Sequence, residues 1–364
     1  MSGICGLFNL DNAPVADADL RAMTAMLERR GPEGTGEWRD GPVGLSHTAL
    51  ATTPELAFER QPFVHEAAGC VITADVRLDN RAGLFNELRE PIPPESTGDA
   101  ELILAAYLKW GERCLERLRG DFAFVIWDPR HQLLFAARDH FGMRPLYYHY
   151  VQAQRFLCAS DPRAILVNPR VPYRVNEVRV AEFLVPELEW SDYTSTFFEG
   201  ICRLPPGHRM TVTGDRFKVR EYWKPEPGPQ LAPMTDTEYA QGFLEVFAKA
   251  VETRLHAPTG RIGAMLSGGI DSGSVVAVAK EILAARDCGP LTTFSAVRNS
   301  EVECAESAAI SAAVSMPSIS PTLVSSEALE NLHDRLVSGN EEPFDGEFMI
   351  LKAIYLEAHD QGRD

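Results

Sequence analysis

The run Leu266-Ser-Gly-Gly-Ile-Asp-Ser-Gly273 constrains this chain more than any other stretch. Before it, Arg261 to Leu266 reads as a short apolar strand. After it, Ser274 to Leu283 places small and apolar residues at the spacings of one helix face. A strand that turns through two glycines into a helix start aims unpaired backbone N–H groups at whatever lies above the turn. Gly268 and Gly269 let the backbone curl without a Cβ, and Ser267 and Ser272 add hydroxyls. Such a turn binds an anion. The lysine of the G-x-x-x-x-G-K-[ST] phosphate loop is absent, which excludes a kinase-type loop.

Two patterns flank this turn. From residue 237 the chain alternates: a helix over 237–255, a strand over 261–266, a helix over 273–286 and a strand over 291–297. A helix over 304–314, a strand over 320–324 and helices over 326–337 and 348–359 follow. This is the start of a parallel, doubly wound sheet. Its last helix calls for a further strand, so the unit is expected to be incomplete at Asp364. Upstream, short strands dominate: 2–9, 43–47, 70–75, 122–127 with 133–137, and 145–150 with 155–159. Helices are expected over 15–30, 82–88, 99–110 and 176–184, and a hairpin runs from 198 to 223. Many short strands among helices imply sheets covered by helices. Lys224 to Pro233, with four prolines and a glycine, reads as a linker. The expected domains are therefore 2–223 and 237–364, joined by 224–236.

Charge and cysteine usage narrow the function. A formal net charge of -17 over 364 residues argues against a general binder of nucleic acid or anionic membrane. A phosphate site in this chain must be local. Seven scattered cysteines without a C-x-x-C pair read as reduced thiols of a cytoplasmic protein, not as a disulfide framework or zinc site. Cys5, between Ile4 and Leu7, reads as a buried structural thiol.

The Ser267–Ser272 string resembles the pyrophosphatase loop of the N-type ATP pyrophosphatases. Further strings are Arg30-Gly-Pro32, Gly120-Asp-Phe-Ala-Phe124, Ala137-Arg-Asp-His-Phe-Gly-Met-Arg-Pro-Leu-Tyr-Tyr148, Leu204-Pro-Pro-Gly207 and Tyr222-Trp223. Together they resemble the glutamine-hydrolysing asparagine synthetase family over essentially the whole chain. The resemblance implies an α+β Ntn-hydrolase-like αββα sandwich, then an α/β adenine nucleotide alpha-hydrolase-like domain of the ATP pyrophosphatase (HUP) type. It implies ATP and Mg²⁺, with Ser267, Gly268, Gly269, Asp271 and Ser272 cradling pyrophosphate and Asp271 near the metal. Leu266 and Val297 would flank the adenine. Glu342 and Asp345 are expected near the adenylation site beside Asp271, and Glu306 is expected to cap its helix. Arg138 and Asp139 are expected to form an internal salt bridge.

The same resemblance exposes departures. The family's nucleophilic cysteine falls on Ser2, the arginine of its G-H-R-R-L run on Ala49, and its N-G-E run on Ala74, Asp75 and Val76. Only the aspartate that grips the substrate amine is kept, as Asp99. Losing a thiol, a carboxylate clamp and an oxyanion donor removes several kcal/mol of transition-state stabilisation, on the order of what each such group supplies. Glutamine hydrolysis, with Ser2 as its only available nucleophile, is therefore not expected.

Thr73-Ala-Asp-Val-Arg-Leu-Asp-Asn-Arg81 also resembles a string in the family's lasso-peptide macrocyclases. The expected activity is an ATP-dependent amide ligase whose amine belongs to the substrate itself, most readily the N-terminus of a precursor peptide. Asparagine synthesis from aspartate with glutamine or ammonia is the alternative, and a non-catalytic regulatory relative a third. Expected partners are a small-molecule or precursor-peptide carboxylate, a biosynthetic protease or peptide-recognition protein, and a second copy in a homodimer; nucleic acid and membrane are not.

Overall fold

The computed structural model describes residues 1–89, 97–188, 192–228, 234–257, 262–297, 305–325, 342–343 and 347–362. The chain divides into two compact units, Met1–Glu226 and Pro227–Asp364.

The first unit begins with β1 (Gly3–Asn9), α1 (Asp17–Leu27), β2 (Thr35–Asp40), β3 (Val43–Thr48), β4 (Phe63–His65) and β5 (Cys70–Leu78). It continues through α2 (Arg81–Leu88), α3 (Asp99–Trp110), β6 (Gly120–Asp128), β7 (Leu133–Arg138), β8 (Tyr147–Val151) and β9 (Arg155–Ala159). It ends with α4 (Pro162–Leu166), α5 (Glu177–Leu184), β10 (Cys202–Arg203), β11 (His208–Val212) and β12 (Phe217–Glu221). The strands form two six-stranded sheets, ordered β10-β8-β9-β1-β3-β2 and β12-β11-β7-β6-β5-β4.

The period of two explains the layers. Ile4 and Phe8 of β1 pack between the sheets with Val71, Val125 and Met210. Cys5 and Leu7, on the opposite face, pack with Leu20 and Met23 of α1. In β6, Phe122, Phe124 and Ile126 face Leu102, Ile103 and Ala106 of α3, while Ala123, Val125 and Trp127 face the other sheet. Helix, sheet, sheet and helix therefore stack, and one apolar layer lies between each pair. Each fully buried phenylalanine at 122, 124 and 135 contributes about 1.5–3 kcal/mol. This is the expected αββα arrangement.

The second unit contains α6 (Asp236–Arg254), β13 (Gly263–Met265), α7 (Ile270–Ala285), β14 (Leu291–Val297), α8 (Ala305–Val314), β15 (Ile319–Ser325) and α9 (Glu347–Asp360). Thr235 starts α6 with a reciprocal capping box: its hydroxyl accepts from the Glu238 N–H, and the Glu238 carboxylate accepts from the Thr235 N–H. β13, β14 and β15 pair in that order and in parallel, with α7 and α8 as the intervening crossovers. Leu266, Val276, Ala279, Leu283 and Leu291 form the core against Val251 of α6. The expected helix over 326–337 and the strand position Arg261 lie outside the described residues.

Three differences from the sequence reading have physical causes. β2 was not anticipated because Thr-Gly-Glu-Trp-Arg-Asp has no apolar alternation; it is an edge strand with a mostly exposed face. α4 is a five-residue element, too short to show a period. α7 starts at Ile270 rather than at Gly273, because Gly269 takes the N-cap position and Asp271 suits a first turn. No helix among the described residues is long and apolar enough to cross a membrane.

Candidate functional site

The glycine turn of the second unit is built from the strand upward. Leu266 is buried at 1% exposure; its N–H donates to Phe294 O at 2.9 Å and its carbonyl accepts from Ser295 Oγ at 2.6 Å. These bonds lock the end of β13 against β14. The chain then rises through Gly268 at φ +77°, where a Cβ would sit 2.7 Å from the Ile310 nitrogen and 2.8 Å from the Ala309 carbonyl carbon. Only glycine fits both the left-handed backbone and the close approach to α8.

Ser272 closes the turn from the first turn of α7. Its Oγ accepts from the Ser267 N–H at 3.1 Å, lies 3.0 Å from Ser267 Oγ and donates to Gly269 O at 3.3 Å. The Gly269 N–H points at Ser267 Oγ, 3.4 Å away. Asp271 stands exposed on the same turn. The turn thus offers a glycine cradle, two mutually fixed hydroxyls, the free N–H end of a sixteen-residue helix and one carboxylate.

The other expected residues divide by position. Leu266 supports the turn from within the core, and Val297 ends β14 half-buried. Glu342 is half-buried, while Asp345 and the Glu306 side chain lie outside the described residues.

In the first unit the N-terminus is held tightly. Ser2 is 6% exposed; its Oγ accepts from the Leu50 N–H at 3.1 Å and donates to Leu50 O at 3.3 Å. Arg30 Nε donates to Ser2 O at 3.4 Å. Nearby, buried Asp75 lies 4.0 Å from Arg30 and 3.6 Å from Arg144. Burial pushes the Met1 α-amine down to about 6, an effect that the Asp75 charge opposes. A cavity of about 590 Å³ is lined by Glu33, His47, Ala49, Phe58, Glu59 and Gln61. Burial pushes His47 down to about 4, so its imidazole is neutral at pH 7. Burial and the neighbouring Asp99 charge push Glu59 up to about 7.

Asp99 is committed to the scaffold: it pairs with Arg81, and its second oxygen accepts from the Leu78 N–H at 2.8 Å. Cys5 is fully buried, its thiol 2.9 Å from Ser46 Oγ and pushed up to about 12 by desolvation. That is the inert thiol expected from its neighbours.

One expectation is corrected. Arg138 and Asp139 make no ion pair with each other. Arg138 instead donates to the carbonyls of Arg144, Gly142 and Leu204 at 2.6–2.8 Å. Asp139 accepts from the N–H groups of Phe141, Met143 and Arg144 at 2.9–3.1 Å. Arg138 ends β7 and Asp139 follows it, and both side chains hold backbone groups of the loop that comes next.

Sequence reasoning missed Arg144 as a partner of Asp75, and His47 and Glu59 as pocket groups. Arg144 stood only inside a matching string. Nothing local marks a histidine or glutamate that the fold brings to one cavity from β3 and the 54–62 loop.

Residues 1–223 match the model of the glutamine amidotransferase domain family, and residues 242–362 match that of asparagine synthase. The class is thus an amidotransferase-type sandwich followed by a synthase-type parallel sheet. The chain is 31% identical over 81% of its length to asparagine synthetase [glutamine-hydrolyzing] 3 of Bacillus subtilis, covering 48% of that protein. It is 30% identical over 74% of its length to amidase chry2 of Gibberella zeae, covering 41%. A Bacillus subtilis glutamine phosphoribosylpyrophosphate amidotransferase structure aligns over 61% of this chain and 49% of that one, with TM-score 0.45 and 16% identity. The chain spans about half the length of the curated relatives it matches. It belongs to the asparagine synthetase family.

Proposed function

We propose that this protein is an ATP-dependent amide ligase that activates a carboxylate as its acyl-adenylate and does not hydrolyse glutamine. The observation that carries the reading is the contrast between the two units. The turn at Ser267–Ser272 carries a helix N-terminus, two hydroxyls and a carboxylate, groups that suit a leaving pyrophosphate and its metal ion. In the first unit Ala49 and Ala74 stand where the family's carboxylate clamp and oxyanion donor would fall, and Ser2 stands where its nucleophilic cysteine would.

The chemistry follows from the parts. A substrate carboxylate oxygen attacks the α-phosphorus of ATP as the bond to the β-phosphate oxygen breaks, and pyrophosphate departs into the Gly268–Gly269 cradle. The helix N-terminus and the Ser267 and Ser272 hydroxyls stabilise the charge that develops there. An amine then attacks the acyl carbon, loses a proton, and AMP leaves with the C–O bond electrons. The turn keeps this shape only with glycine at 268, where a Cβ would meet the α8 backbone at 2.7 and 2.8 Å, and its free N–H groups suit a polyphosphate. Asp271 would hold Mg²⁺, which would supply positive charge against the phosphates. Among the described residues no three His, Cys, Asp or Glu side chains form a metal cluster. A Mg²⁺ held by one carboxylate and substrate phosphates is the usual pattern. Glu342 and Asp345 would serve the adenylation site, and Leu266 and Val297 the adenine.

With no ammonia produced in the first unit, the amine comes with the substrate. A precursor peptide whose Asp or Glu side chain is closed onto its own N-terminus fits, and the Ala74–Arg81 string supports this choice. A biosynthetic protease or peptide-recognition protein is the partner such chemistry calls for, in the cytoplasm. Incubating the protein with ATP, Mg²⁺ and a co-encoded small peptide tests it. Loss of one water per peptide by mass spectrometry, with AMP formed and glutamine without effect, supports macrocyclisation. Asparagine formed from aspartate would favour the second reading, which the named Bacillus subtilis relative supports.

A further inference from the structure

Strands β11 and β12 form the end ribbon of the second sheet, with β12 at its edge. Met210, Val212, Phe217 and Val219 face the layer between the sheets. The alternate residues therefore lie on the other face. There Arg209 is the direct cross-strand partner of Arg220, and Thr211 of Lys218. Like charges placed directly opposite one another destabilise a sheet.

A groove of about 230 Å³ runs along this face, lined by Arg209, Arg216, Lys218 and Arg220, with Thr211 and Glu112 among the other groups. Glu112 lies 3.0 Å from Arg209. Arg216, Lys218 and Arg220 are exposed and make no ion pair among the described residues. Four cations meet one carboxylate in a chain whose net charge is -17. The positive charge is thus concentrated against the charge of the rest of the molecule.

The spacing identifies the ligand. Residues 216, 218 and 220 recur at the period of an extended strand, and β12 presents an edge that pairs with no strand among the described residues. We propose that this ribbon binds an acidic peptide segment in extended conformation. The segment adds a strand to the β12 edge, and its alternate carboxylates meet Arg216, Lys218 and Arg220. Backbone pairing supplies register and the side-chain alternation supplies selectivity. Phosphate alone would use the charge but not the period.

Fluorescence anisotropy with a labelled, capped peptide of alternating Glu and Thr tests this on the full chain. Controls are a Gln-for-Glu version and a peptide of the same composition with its acids in one block. The alternating peptide is expected to bind at low ionic strength and weaken with salt. Binding should fall about tenfold or more in Lys218→Glu/Arg220→Glu, and less in the milder Lys218→Gln/Arg220→Gln. Circular dichroism and thermal unfolding establish that these surface variants are folded. No binding by the wild-type chain would mean that the cations only guard the edge against self-pairing. Equal binding of the blocked peptide, or unchanged binding by both variants, would equally overturn the proposal.

Discussion

The hydroxyl of Ser272, on the first turn of α7, lies 3.0 Å from the hydroxyl of Ser267 and 3.1 Å from the Ser267 N–H. One side chain thus joins the two ends of the glycine turn and fixes both hydroxyls before any phosphate arrives. Preorganised donors of this kind need no rearrangement when charge develops.

Ser272→Ala removes that tie without adding bulk. Pyrophosphate exchange into ATP is expected to fall by about 10²-fold, as for loss of one preorganised donor. Stability should change by only about 1 kcal/mol. Ser272→Thr keeps the hydroxyl and should retain most of the exchange rate. Equal losses in both variants would assign Ser272 to packing instead.

The two glycines of the turn are not equivalent. At Gly268 a methyl group meets backbone atoms of α8 at 2.7 and 2.8 Å in a left-handed conformation. Gly268→Ala should therefore destabilise the protein by about 1–3 kcal/mol. At Gly269 the nearest atom to a new Cβ is Ser267 Oγ, 3.4 Å away. Gly269→Ala should leave stability within about 1 kcal/mol, as expected for a mild N-cap change. Urea unfolding of the two variants compares them directly.

Two pocket groups give opposite pH dependences. His47 has a folded value of about 4 against an ordinary 6.5. Between those values the unfolded chain binds the extra proton, so its contribution is present above 6.5 and lost as pH falls through 4. Glu59 has a folded value of about 7 against 4.5, so here the folded chain holds the extra proton. Its contribution is present below 4.5 and lost as pH rises through 7. His47→Gln should flatten the acid-side loss, and Glu59→Gln the loss between 4.5 and 7. Each effect should be about 3 kcal/mol. Thermal unfolding across this pH range measures both slopes.

Thiol reactivity follows burial. Cys5 and Cys114 are each held near 12 by desolvation, and Cys158 is likewise pushed up, whereas Cys288 is exposed. Iodoacetamide should label Cys288 in the native protein and spare the other three until denaturant is added. Native labelling of Cys5 would contradict its place between β1 and α1.

The legible parts of this molecule were those set by local pattern. β14 and α3 fall where the sequence reading put them, because each is a nearly continuous buried run. The glycine turn was legible because strand, turn and helix are contiguous in sequence. β2 was not: its polar residues sit on a sheet edge, where burial imposes no alternation. The meeting of Asp75 with Arg30 and Arg144 was not legible either, since it joins three distant segments. The loop-building roles of Arg138 and Asp139 depend on carbonyl and N–H groups whose placement only tertiary structure decides.

The most direct test of the central claim is ATP–pyrophosphate exchange measured on the protein with Mg²⁺ and a candidate acid, with and without glutamine. Exchange should require the acid, stay unchanged on adding glutamine or in Ser2→Ala, and fall strongly in Asp271→Asn. Exchange that depends on glutamine and disappears in Ser2→Ala, or that persists unchanged in Asp271→Asn, would contradict the account.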